Sequence, residues 1–79
     1  MLTLYIRTTC GHCHRVLRKA EELGVVLDLK DIGNPENAAA LVAKGGKQQV
    51  PYLVDEAHSV TMYESEEIAA YLEKTYPKL

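Results

Sequence analysis

Leu2-Thr3-Leu4-Tyr5-Ile6-Arg7-Thr8-Thr9-Cys10-Gly11-His12-Cys13-His14-Arg15-Val16-Leu17 is the stretch that decides how this chain is read. Residues 2–6 are apolar or β-favouring and predict a short buried strand. Val16, Leu17, Ala20 and Leu23 recur at helical spacing, with Arg15, Arg18, Lys19, Glu21 and Glu22 mostly on the other side. Residues 11–23 therefore read as an amphipathic helix, with Gly24 placed to end it. The only two cysteines of the chain lie at this junction, Cys10 where the helix opens and Cys13 one turn deeper.

A thiol at a helix N-terminus faces unpaired backbone N–H groups and the positive end of the helix dipole. Both favour the thiolate and pull the pKa below the ~8.5 of a free cysteine. Cys10 is thus the expected nucleophile. Cys13, deeper and more covered, is the expected resolving thiol. His12 between them adds positive charge when protonated, which stabilises the thiolate and makes the disulfide a stronger oxidant. Thiol–disulfide chemistry is what Cys10, Cys13 and His12 imply together.

Other uses of the pair fit less well. A bridge closing two intervening residues constrains the unfolded chain little. Zinc needs four placed ligands, and beyond Cys10, Cys13, His12 and His14 only His58 remains. Cys10 to His14 matches C-x-x-C-H, the haem-attachment pattern, with Met62 or His58 as a second axial candidate. Against haem stand the strand that ends just before the motif and the number of strands that follow.

Beyond Gly24, residues 25–29 read as a second strand. Asn34-Pro35 gives a cap and a proline at the first helical position, and the helix runs through Ala38, Leu41 and Val42 to Gly45-Gly46. Tyr52-Leu53-Val54 reads as a third strand and Asp55-Glu56-Ala57-His58 as a polar turn. Val60–Met62 is a short fourth strand. A last helix is expected from about Ser65, as cap, to Thr75, with Ile68, Ala69 and Leu72 inward and Pro77 preventing continuation. The order β-α-β-α-β-β-α makes the first two strands parallel and the last two antiparallel. The expected class is α/β, a small mixed sheet flanked by helices, with residues 1–79 forming a single domain.

The bulk numbers narrow the function. The chain is 47% hydrophobic, enough for a core, yet no stretch approaches the roughly 20 apolar residues of a membrane span. Net charge is −2 with the cations dispersed, which argues against a nucleic-acid or membrane surface. Phe and Trp are absent and the five tyrosines scattered, so no base-stacking platform is evident. No signal-peptide pattern precedes the first strand, so a cytoplasmic location is expected, where thiols stay reduced.

Strand, Cys10-Gly11-His12-Cys13, helix, Val50-Pro51 before a strand, and Glu64-Ser65 before the last helix: this order resembles the glutaredoxin family over nearly the whole chain. The resemblance implies the thioredoxin-like fold, with the strands, numbered along the chain, in the order β2-β1-β3-β4. It implies that Pro51 is cis and that the backbone of Val50 binds the cysteinyl part of glutathione like an added strand. Glutathione carries two carboxylates and an ammonium. Ser65 at the helix start would hold the γ-glutamyl carboxylate and Glu64 the ammonium. Arg7 and Lys47 would meet the glycine carboxylate.

The implied activity is glutathione-dependent reduction of protein disulfides or glutathione mixed disulfides. Glutathione would be co-substrate, with no permanently bound cofactor or metal, and the protein a monomer. Two alternatives share the motif: a glutathione-ligated iron–sulfur cluster held between two chains, and a dithiol carrier reduced by a flavoenzyme. The chain departs from the common glutaredoxin pattern at three places. Gly11-His12 replaces Pro-Tyr and resembles protein disulfide isomerases. Gln49 stands where Thr usually precedes Val-Pro. Met62-Tyr63-Glu64-Ser65 replaces the Gly-Cys-Asp-Asp type of loop, and its Glu-Ser is similar to the glutathione-transferase N-terminal domain. A full transferase is not expected at this length, since no second helical domain follows.

Overall fold

A computed structural model describes residues 2–8 and 11–77; Cys10 lies outside the described residues. Leu2–Ile6 forms strand β1, Gly11–Leu23 helix α1, Asp28–Asp31 β2, Pro35–Gly45 α2, Tyr52–Asp55 β3, Val60–Met62 β4 and Ser65–Thr75 α3. The sheet order is β2-β1-β3-β4, parallel between β1 and β2 and antiparallel across β1–β3 and β3–β4. This is the thioredoxin-like arrangement. No helix among the described residues is long and apolar enough to cross a membrane.

Alternation along β1 builds a core on each face of the sheet. Leu2, Leu4 and Ile6 pack with Cys13, Val16 and Ala20 of α1 and with Ile68 and Leu72 of α3. Tyr5 points to the other side, with Ile32, Tyr52, Val54 and Leu41 of α2. Helix α2 has its caps where the sequence puts them. Asn34 Oδ1 accepts from the Glu36 N–H at 2.9 Å, and Gly46, at φ 82°, donates its N–H to the Val42 carbonyl.

Three expectations are corrected. The second strand is not 25–29 but Asp28–Asp31, in register from Thr3↔Asp28. Gly24 turns left-handed at φ 71°, the Val25 N–H bonds back to the Ala20 carbonyl, and Val26 is 88% exposed. Residues 25–27 are thus the crossover from helix to sheet edge. Their apolarity has a different cause from strand burial: Val25 and Leu27 pack against the α1 side of the core. Second, the cap of α3 is Glu64, in extended conformation and without a side-chain cap bond, and Ser65 is the first helical residue.

Third, Asp55 is not part of the turn. It ends β3, paired with Leu2 on one side and Val60 on the other, and is 1% exposed. Its Oδ2 accepts from Tyr71 (2.5 Å), Tyr76 (2.7 Å) and His58 Nδ1 (2.8 Å), which ties both tyrosines on the C-terminal side of α3 to the sheet. Burial alone would raise this carboxyl's pKa. The three hydrogen bonds and the charge of His58 outweigh burial and hold it at about 2, below the ordinary 3.8. The pKa is lowered on folding, so this stabilisation is complete above about pH 4 and is lost as the pH falls towards 2. Stability measured by urea unfolding is expected to be flat in this respect above pH 5. It should drop by about 2 kcal/mol between pH 4 and 2 through this group.

Candidate active site

Three chain segments meet at one end of the sheet. Helix α1 starts there at Gly11, the loop before β3 brings Val50 and Pro51, and α3 starts there at Ser65. The Val50–Pro51 peptide bond is cis, as the resemblance implies. Between these segments lies an open cleft of ≈ 470 Å³. His12 and Arg15 of α1 line one side, Gln49, Val50 and Pro51 a second, and Tyr63, Glu64 and Ser65 a third. Glu66 and Glu67, in the first turn of α3, complete the rim. Two helix N-termini open towards the cleft, so its backbone end is polarised to receive anionic groups.

Of the residues singled out in the sequence, the cleft brings together His12, Val50, Pro51, Glu64 and Ser65. Cys13 lies on the core side of α1, fully buried. Arg7 follows β1 as an exposed residue and is not among the described residues that line the cleft. Lys47 does not line it either, but its ammonium sits 5.3 Å from the centroid of the Tyr63 ring, which does.

Several contacts were not evident in the sequence. Arg15 Nη1 reaches Glu66 Oε1 at 3.3 Å and bridges α1 to α3 at the rim. Both side chains are well exposed, so the pair contributes at most about 1 kcal/mol. Arg15→Ala is therefore expected to shift the urea midpoint little. His14 donates from Nε2 to the Thr8 carbonyl at 3.1 Å, tying the loop before α1 to the helix. Its ring is occupied by the backbone in a way the C-x-x-C-H pattern did not disclose. Tyr63 packs its ring on Tyr52, with centroids 4.4 Å apart, and its hydroxyl bonds to both the N–H and the carbonyl of Lys47. An aromatic residue before Glu64-Ser65 is a hint of this.

The family model of the glutathione S-transferase N-terminal domain matches residues 4–78. The chain belongs to this family. Its likeness to solved structures agrees. A delta-class glutathione transferase of Nilaparvata lugens superposes with a TM-score of 0.83 at 27% identity, over 100% of this chain and 38% of that one. A glutathione S-transferase of the Antarctic clam Laternula elliptica gives 0.81 at 28% identity, over 98% and 36%. A trimeric glutathione transferase of Leishmania gives 0.77 at 33% identity, over 95% and 17%. The chain thus spans well under half the length of each of these three solved chains. No curated protein sequence matches it. The glutaredoxin likeness holds at the level of the thioredoxin-like fold. The family is the one that Glu64-Ser65 resembles.

Proposed function

We propose that this domain is a glutathione-dependent thiol–disulfide oxidoreductase, with glutaredoxin-type chemistry on a glutathione S-transferase N-terminal framework. One observation carries the reading. The first turn of α1, the cis Val50–Pro51 bond and the Glu64-Ser65 start of α3 border a single cleft. A tripeptide thiol lying there would pair its cysteinyl backbone with Val50. Its γ-glutamyl carboxylate would meet the N-terminus of α3 at Ser65, and its ammonium Glu64. Lys47 at the cleft's margin and Arg7 beyond β1 are the cations for the glycyl carboxylate.

The thiolate of Cys10, the residue before α1, attacks the glutathionyl sulfur of a mixed disulfide. One S–S bond forms on Cys10, the original S–S bond breaks, and the protein thiolate leaves and takes up a proton. A second glutathione thiolate then attacks the adduct, releasing oxidised glutathione and restoring Cys10. With a protein disulfide, Cys13 displaces the mixed disulfide on Cys10, and two glutathiones reduce the resulting Cys10–Cys13 bridge. His12, in the cleft, favours the thiolate when protonated.

The test is turnover of a glutathione–mercaptoethanol mixed disulfide, coupled through glutathione reductase to NADPH oxidation. Turnover that saturates with glutathione supports the reading. Turnover sustained by thioredoxin reductase but not by glutathione overturns it. His12→Ala is expected to raise the Cys10 pKa, measured by the pH dependence of iodoacetamide alkylation. An unchanged profile removes His12 from the account.

A further inference from the structure

We propose that Tyr63 is the positioning residue of the cleft, the group that fixes the Val50–Pro51 wall against the Glu64–Ser65 wall. The inference rests on the glutathione reading given above. Tyr63 immediately precedes Glu64, so its backbone belongs to the α3 side. Its side chain crosses to the other. The hydroxyl accepts from the Lys47 N–H at 3.2 Å and donates to the Lys47 carbonyl at 3.0 Å, so both polar groups of one loop residue close on one phenol. Lys47 stands three residues before Val50, in a segment outside any helix or strand. The ring is backed by Tyr52, which is 2% exposed, and the Lys47 ammonium lies over it. The loop is therefore tied to a half-buried phenol that itself rests on the buried Tyr52 ring.

Gly45 shows that this approach shapes the sequence around it. Gly46 has the left-handed φ of 82° that ends α2; Gly45 is helical and needs no such freedom. A Cβ at Gly45 would collide with the Tyr63 hydroxyl and come within 3.2 Å of the Tyr52 ring. The first glycine of the pair is required by space, because the phenol occupies the place of its side chain. The clamp thus sets the separation between the backbone that would read the cysteinyl unit and the helix start that would read the γ-glutamyl unit. Its effect falls on glutathione binding and leaves the acidity of Cys10 alone.

Two variants test this from opposite sides. Tyr63→Phe keeps the ring and its stacking but deletes both hydrogen bonds. Gly45→Ala keeps the tyrosine, suits a helix, and displaces the hydroxyl. Each is expected to raise KM for glutathione about tenfold, the scale of one or two lost net hydrogen bonds. Saturated kcat should change less than about twofold, as for an interaction made equally in ground and transition states. The rate of Cys10 alkylation should stay at the wild-type value, and the Lys47 amide should exchange faster in both. KM unchanged in both variants, with a wild type that saturates normally, overturns the positioning role even if Lys47 exchanges faster. Cys10 alkylation slowing in step with KM also overturns it, since the clamp would then serve the thiol. A wild type that never saturates with glutathione overturns the parent reading, and this inference with it.

Discussion

Cys10→Ser is expected to lower glutathione-dependent reduction of a mixed disulfide by at least about 10³-fold, the scale on which removal of a nucleophile acts. A serine hydroxyl does not ionise near neutrality and forms no exchangeable S–S bond, so neither half-reaction remains. Under the proposed function Cys13→Ser is expected to behave differently, because the two substrates would part company at the second step. Glutathione from solution can resolve the adduct on Cys10, so deglutathionylation should stay within about tenfold of wild type. Reduction of a protein disulfide, which needs an internal resolving thiol, should fall far more. One control is essential. Cys13 is fully buried among Val16, Leu4 and Ile68, so a serine there places a hydroxyl in an apolar core. Cys13→Ala, which introduces no polar group, must show the same substrate split. If Cys10→Ser retains wild-type turnover, the assignment of the nucleophile is wrong. If both Cys13 variants lose both activities, then Cys13 does more than resolve.

The sequence made the fold legible where local signals and burial agreed. Strand 2–6, helix 11–23, the Asn34-Pro35 start of α2 and the 65–75 helix all carry a period, a cap or a breaker that nothing in the packing contradicts. It misled where apolarity had a second cause. Val25, Val26 and Leu27 look like a strand, yet they cross to the sheet edge, with Val25 and Leu27 packed on the α1 side of the core and Val26 facing solvent. Asp55 looks like turn chemistry because aspartate is common in turns. His58, three residues on, is a local partner, but Tyr71 and Tyr76 complete the set that makes its burial tolerable, and a spacing of 16 and 21 residues leaves no local trace. The site divides the same way. Glu64-Ser65 and Val50-Pro51 are contiguous pairs that announce themselves. The Tyr63–Gly45–Lys47 contact joins three segments through one phenol, and its faint signs were an aromatic residue before Glu64-Ser65 and a second glycine where one suffices to stop a helix.

The second large effect is on stability. Asp55→Ala is expected to cost about 3–4 kcal/mol, against a total of about 4–12 kcal/mol for a domain of this size. The carboxylate is the common acceptor of three donors, and its removal leaves the Tyr71 and Tyr76 hydroxyls facing a space that a methyl group does not fill. The coupling is visible from the partners as well. Its hydrogen bond, with burial, pushes the Tyr76 phenol up to about 12, and burial first, then the same carboxylate, raises Tyr71. Two comparisons separate the charge from the acceptor. Asp55→Asn keeps an acceptor oxygen and should cost only about 1–2 kcal/mol, the charge-assisted share of the bonds. It should also erase the stability lost between pH 4 and 2, because the group that titrates is gone. In the double variant Asp55→Ala with Tyr71→Phe, the loss should be smaller than the sum of the two single losses, since the second change removes a donor already stranded by the first. Urea unfolding at pH 7 and pH 3 measures all of these. A loss below about 1 kcal/mol for Asp55→Ala would mean that water reaches both tyrosines, and that α3 is held to the sheet by Ile68, Ala69 and Leu72 alone.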